Sequence, residues 1–200
     1  MQGAEIIGWN IVAELLRRCP PYLRRSLGPR DAEGISDFEN YPFIIVSACF
    51  SHEACKTDIA NVYARYVQGE RNISSFGQQV ELLRYEALRE GGAVVGAGGI
   101  YRLVGDAPST VWLGWLGIDP RCQGRGLGQA LLQRLVDIAV ALPAKELKVY
   151  TPADLDEYAL CRSLYAKMDF EHRPAEDFST SIDGSTVKEL MLVRTLQPAP

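Results

Sequence analysis

The stretch TVWLGWLGIDPRCQGRGLGQALLQRLVDIAVAL constrains this chain more than any other. Residues 110–118 are apolar, aromatic and β-branched and read as a strand, while Leu127, Leu131, Leu135, Ile138 and Leu142 recur at helical spacing as one apolar stripe. Between them lie Asp119, Pro120 and the glycines Gly124, Gly126 and Gly128. A strand that runs through a glycine turn into a helix aims backbone N–H groups and the positive end of the helix dipole at one spot, the arrangement that meets a phosphate. The glycines remove Cβ atoms where a ligand must approach the backbone, and Arg121 and Arg125 add positive charge beside it. A bare helix N-terminus with glycines explains the pattern as well as a ligand site does, so the flanking chain has to decide. Two familiar phosphate loops fail on residues. No Gly-Lys pair occurs for a P-loop, and a Gly-x-Gly-x-x-Gly fingerprint meets Gln129 or Leu131 at its last position.

The flanks sort into elements by period. Residues 4–18 place Ile7, Ile11 and Leu15 on one helical face before Pro20 and Pro21, which predicts an N-terminal helix. An irregular linker with Gly28, Pro29 and Gly34 follows, and the apolar run PFIIVSACF predicts a strand. Residues 52–67 predict a helix closed by Gly69, and residues 74–77 a loop. Three strand-like runs, VELLRYEAL, AVVGAGGIYRLV and TVWLGWLGI, form a meander, in which Trp112 and Trp115, three apart, point to opposite faces so that one at most faces an acceptor site. After the long helix come the strand ELKVYTP, a helix over 155–168 with Leu160, Leu164 and Met168 in line, and a closing strand KELMLVRTL behind the Asp183–Gly184 turn.

With 200 residues, 47% hydrophobic and 23% charged, the chain has room for one globular domain and a modest extra piece. A net charge of -4 argues against a nucleic-acid binder, which needs a clustered positive surface. No apolar run approaches the ~18 residues of a membrane span. The N-terminus carries Glu5 before its apolar part and Arg17 and Arg18 after it, the wrong order for a signal peptide. Five cysteines without a Cys-x-x-Cys pair, and two histidines, signal neither a disulfide framework nor a metal site, so free thiols in the cytoplasm are expected. Arg17, Arg18, Arg24, Arg25 and Arg30 are followed at once by Asp31, Glu33, Asp37 and Glu39, which reads as intramolecular charge pairing on a solvated face.

The turn reads Gln123-x-x-Gly126-x-Gly128, and it resembles the pyrophosphate motif Gln/Arg-x-x-Gly-x-Gly/Ala of the GNAT superfamily of acyl-CoA-dependent N-acetyltransferases. The likeness extends over about 80–196: the meander, the motif helix, ELKVYTP, a helix ending LYAKMDF, and a last strand containing Met191. It implies an α/β (α+β) fold with a mixed, mainly antiparallel central sheet flanked by helices. The expected division is an N-terminal helical extension over 1–38, serving packing or self-association as in a homodimer, and an acetyltransferase domain over 39–200.

The resemblance further implies that the strand before the motif parts from ELKVYTP, and that the pantetheine arm of acetyl-CoA lies in the gap. Backbone at Leu116 and Ile118 would bind pantetheine, and the amides of Gln123, Gly124, Arg125, Gly126, Leu127 and Gly128 the pyrophosphate. An N–H near Ile118 would polarise the thioester carbonyl. Tyr165 sits where the family places a tyrosine that protonates the departing thiolate, and a phenol with pKa about 10 can do so at neutral pH. The implied function is transfer of an acetyl group to a primary amine of a small molecule or peptide by direct attack in a ternary complex, with acetyl-CoA as donor and no metal. The alternative is a non-catalytic acyl-CoA-binding regulatory module. No base is assigned: Glu86, Asp106 and His52 read as solvated or turn residues. Asp169 stands where the family usually has Gly, Tyr158 where it commonly has Asn, and Cys161 where it commonly has Ala.

Overall fold

The computed structural model describes residues 5–8, 42–47, 49–50, 52–155, 158–182 and 184–197. Its elements in chain order are β1 (Glu5–Gly8), α1 (Pro42–Ser47), α2 (Glu53–Val67), β2 (Asn72–Ser75), β3 (Gln78–Glu90), β4 (Ala93–Leu103) and β5 (Thr110–Ile118). They continue with α3 (Leu127–Ala141), β6 (Glu146–Pro152), α4 (Ala159–Lys167), β7 (Glu171–His172), β8 (Phe178–Ile182) and β9 (Ser185–Thr195). One sheet runs β1-β3-β4-β5-β6-β9-β7, with β2 added to β3 and β8 to β9. Every described pairing is antiparallel except β5 with β6. The mixed, mainly antiparallel sheet flanked by helices is therefore as the resemblance implied.

Hairpin chemistry explains the meander. Gly91 and Gly92 join β3 to β4 with both residues at positive φ, the backbone whose twist matches the two strands. Phe76 and Gly77 join β2 to β3 in the same way, with Phe76 at φ 45, an unusual conformation for a bulky side chain. Residues 74 and 75 therefore belong to a strand, and the predicted loop shrinks to these two positions.

The core lies on both faces of the sheet. Ile59, Val62 and Tyr63 of α2 and Val46 of α1 pack on Leu82, Tyr85 and Ala97. On the opposite face Leu132, Leu135, Val136 and Ala139 of α3 and Tyr165 of α4 pack on Ile100, Val111, Leu113 and Val149. Two-sided cover leaves little apolar surface of a mixed sheet to water, and that burial is the main favourable term in its stability.

Four further expectations change. The run PFIIVSACF begins as helix α1 rather than a strand: Pro42 takes the first helical position, where its fixed φ suits a helix, and Val46 packs over Gly117 of β5. A short unbroken apolar run carries no period, so only packing could choose. Residues 5–8, expected in a helix, form β1 on Ala87 and its neighbours; the rest of that predicted helix, and most of the 1–38 extension, lies outside the described residues. In α4, Leu160 is 71% exposed instead of lying in line with Leu164 and Met168, because the helix starts at Ala159 and turns Tyr165 inward.

The fourth concerns the tryptophans. Gly117 pairs with Ala97 but Gly114 with Gly99, so β5 carries one extra residue at Trp115 and Leu116. Such a bulge reverses the alternation of side chains beyond it. Trp112 and Trp115 thus share the α1/α2 face: Tyr101 and Leu103 border both the cluster around Trp112 and the α2 core that Trp115 abuts. Leu116 and Ile118 turn to the α3 side.

Candidate functional site

The parallel pairing of β5 with β6 covers only Thr110–Trp112 against Glu146–Lys148. Beyond it the strands diverge, although β6 stays paired to β9 as far as Pro152 and β5 to β4 as far as Ile118. The edge of β5 over 113–118 consequently faces a gap in the middle of the sheet. Asp119 N–H donates to the Val95 carbonyl at 2.9 Å, so the antiparallel alternation turns the N–H and C=O of Ile118 away from β4, towards that gap. The Ile118 carbonyl accepts from Gln123 Nε2 at 3.0 Å and Cys49 Sγ at 3.2 Å. Its N–H is the group left to meet a ligand, and Gln123 serves to fasten the turn to the strand.

The turn itself is shaped by two left-handed residues, Gly124 at φ 74 and Gly126 at φ 80, the latter the N-cap of α3. A Cβ at either would point into open space, so the conformation, not crowding, requires glycine there. The first intrahelical bond runs from Ala130 N–H to the Gly126 carbonyl at 3.0 Å, which leaves the amides of Leu127, Gly128 and Gln129 without a carbonyl one turn below. Gly128 abuts Leu164 and Ile118, fixing this helix end between α4 and the parted strand. Arg121 is folded back on Asp119 at 2.8 Å, and that hydrogen bond holds the Asp119 carboxyl below its usual range. Arg125 pairs with both carboxylate oxygens of Glu90. The two arginines expected to add charge are thus each matched by an acid, and the backbone supplies what attraction the turn has for an anion.

Below the turn, a cavity of about 180 Å3 passes through the gap. Leu116, Cys161 and Tyr165 line its α3/α4 side and Trp115, Tyr150 and Glu189 its other side. Tyr165 is 7% exposed, lies against Phe170 with ring centroids 5.4 Å apart, and is pushed well above the ordinary phenol range by burial, so it stays protonated and can donate. Burial also raises the Cys161 thiol, which makes it a poor nucleophile. Trp115 is held by its Nε1–H, which donates to Asp58 Oδ2 at 2.9 Å, and Ser75 Oγ donates to the same oxygen at 2.7 Å. Of the two tryptophans only Trp115 lines the cavity.

The structure brings Leu116, Ile118, the turn and Tyr165 to one place. It does not bring Glu86, Asp106 or His52 there. Glu86 is 1% exposed, not solvated, and is bound by Arg84 at 2.7 Å; Asp106 accepts the Trp112 indole N–H; His52 precedes α2. The residue that sequence reasoning missed is Glu189 on β9, 2% exposed, whose Oε2 is buried without a hydrogen-bond partner and whose carboxyl is pushed up to about 7 by burial. One clue was present: Val187, Glu189, Met191 and Val193 are one phase of the strand, and the other three are apolar.

The model of the acetyltransferase (GNAT) family matches residues 52–170, more than half of the chain and the whole stretch from α2 to Phe170. This chain belongs to the GNAT family. The N-alpha-acetyltransferase RimI of Mycobacterium tuberculosis is 44% identical over 55 residues, which is 28% of this chain and 35% of that protein, so the match spans about a third of the relative's length. Among solved structures, a GNAT-family protein of Desulfovibrio desulfuricans superposes with a TM-score of 0.57 at 16% identity, over 98% of this chain and 99% of that one. The protein yncA of Salmonella typhimurium, solved with its cofactor acetyl-CoA, superposes with a TM-score of 0.56 at 15% identity, over 99% of this chain and 96% of that one. These likenesses bear on the fold alone. Among the described residues no helix is long and apolar enough to cross a membrane.

Proposed function

We propose that this GNAT chain transfers an acetyl group from acetyl-CoA to a primary amine, the amine attacking directly in a ternary complex. The observation that carries the reading is the β5–β6 gap, where the cavity lined by Leu116 and Tyr165 lies beside the strand that runs on into the amide-rich turn. The residues fit such a donor on three counts. Unsatisfied strand edge at 113–118 suits an arm that hydrogen-bonds like a strand, the amides of 124–129 suit a pyrophosphate, and open space beside Gly124 and Gly126 admits it closely. When bound, acetyl-CoA would supply a thioester carbonyl as electrophile and a thiolate as leaving group. The Ile118 N–H, turned into the gap, would donate to the carbonyl oxygen as charge develops there. Tyr165, protonated in its apolar surroundings, would give its proton to the departing sulfur. The amine reaches the carbonyl carbon from the Trp115 side of the sheet. The free thiols of Cys49, Cys122 and Cys161 support the cytoplasm as the proposed compartment.

Calorimetric titration with acetyl-CoA, run on the wild type and on Gly126→Glu, tests the reading. The wild type is expected to bind in the micromolar range and the variant at least about 100-fold more weakly, because a carboxylate at Gly126 repels the pyrophosphate. Gly126→Ala carries the same backbone strain without the charge and controls for folding. No wild-type binding would leave only a shared fold. Donor binding without transfer to any of a broad panel of amines would instead favour an acyl-CoA-binding module.

A further inference from the structure

We propose that Glu189 is the acceptor subsite of this enzyme: its carboxylate receives the ammonium of a primary amine carried on an apolar body and removes the proton that blocks attack. The inference rests on the acetyltransferase reading and adds to it the base and the class of acceptor.

Three observations converge on Glu189. Its Oε2 has no hydrogen-bond partner although it is buried, a costly condition in a finished core and a reasonable one in a site awaiting a cation. Second, Glu189 is the only carboxylate among the described residues that line the cavity, and no Lys, Arg or His lines it. A positive partner must therefore come from outside. Third, the mouth is apolar and preset. Phe76 and Phe178 line the cavity while 46% and 40% exposed, and the β2–β3 turn fixes the backbone of Phe76. An aromatic mouth over a buried carboxylate selects a cation with an apolar body.

The proton balance closes. The ammonium, with an ordinary pKa of about 10.4, gives one proton to Glu189 and becomes the nucleophile. Its nitrogen bonds to the thioester carbon, the C–S bond breaks as Tyr165 gives its proton to the sulfur, the nitrogen gives its second proton to water while Tyr165 regains one from water, and Glu189 releases its proton to water on product departure, so that one proton is set free per transfer. A carboxylate in water is far too weak a base for this, and burial narrows the mismatch by lifting Glu189 to about 7.

Of the other ionisable groups, Tyr85, Tyr158, Cys161 and Tyr165 line the same cavity, and Tyr101 on β4 and Cys55 and Asp58 on α2 act together with Glu189 on the phenol of Tyr150 on β6. Burial raises the phenols of Tyr101 and Tyr150 beyond the working range, and their hydroxyls bond one another rather than Glu189. Asp58 is occupied by Ser75 and Trp115 and does not line the cavity. Lys188, next in sequence, lies 3.7 Å from Asp177 instead.

The test uses acetyl-CoA with 2-phenylethylamine, and with a short peptide beginning in phenylalanine to separate a small amine from a peptide terminus. Wild-type kcat/KM is expected to rise with pH through about 7, and Glu189→Gln to lose that limb and about 100-fold in rate while binding acetyl-CoA as the wild type does. Glu189→Asp should recover part of the rate and the limb. Independently of any variant, 2-phenylethylammonium should raise the melting temperature of the donor-free protein more than 2-phenylethanol does. Transfer by Glu189→Gln at an unchanged rate and pH profile, or equal stabilisation by amine and alcohol, overturns the role of Glu189 and leaves the acetyltransferase reading standing. Failure of the wild type to bind acetyl-CoA overturns both.

Discussion

Glu189, proposed as the base, is a buried carboxyl whose titration also bears on stability. Its carboxyl is raised from the ordinary 4.5 to about 7, so the folded chain holds a proton that the unfolded chain has released between those values. Stability from this group is therefore complete below about 4.5 and is lost as pH rises through about 7. Glu189→Gln should melt with the wild type at pH 4 and at least about 2 °C above it at pH 8. A constant difference across that range would mean that the carboxyl does not titrate in this window. Tyr165 is buried in the opposite wall of the same cavity, and the role proposed for its hydroxyl is to protonate the departing sulfur. Tyr165→Phe keeps the ring against Phe170 and loses only the hydroxyl, so acetyl-CoA affinity should stay within a few fold while kcat falls about tenfold or more. Unchanged turnover would remove Tyr165 as the acid. Neither residue is equally visible in sequence: Tyr165 stands out inside a family-like LYAKMDF helix, whereas Glu189 is known only by breaking the apolar phase of β9.

At the scale of elements, two local backbone features place the site. The extra residue in β5 turns Trp115 to the α2 face and Leu116 to the α3 face, so both sides of the cavity receive a side chain from the same bulge. The end of α4 is the second. Asp169, where a glycine is usual in the family, adopts φ 58, and Phe170 N–H returns to the Tyr165 carbonyl at 3.1 Å to close the helix. Aspartate tolerates this conformation better than most residues, so the departure leaves the position of Tyr165 intact. Asp169→Gly should stabilise the fold by up to about 1 kcal/mol in urea titrations, since its ion pair with Arg194 is long at 3.9 Å and its carboxylate is exposed. A loss of stability would show that the aspartate side chain caps the helix. The other departures are absorbed likewise: Tyr158 is buried against Phe50 with centroids 5.9 Å apart, and Cys161 is a half-buried wall of the cavity.

Taken whole, the molecule is a sheet held shut on both faces and left open along one internal seam. The strand edge at 113–118 and the amides at 123–129 should exchange hydrogen quickly in the free protein, and saturating acetyl-CoA should slow both segments together. At a donor concentration 100 times Kd the fold should gain about 2.7 kcal/mol. Protection confined to the turn would mean that the seam does not hold the donor's arm. The sequence by itself determined the parts whose cause is local: α2, the meander with its Gly91–Gly92 turn, the strand-to-α3 turn of glycines, and β6, because period and turn chemistry act within a few residues. Only the tertiary structure decided that the apolar run after Pro42 is a helix, that residues 5–8 pair with β3, that a bulge puts both tryptophans on one face, and that Glu189 enters the cavity. Each of those depends on which surface is already occupied when the segment packs, and a chain read residue by residue carries no record of its neighbours in space.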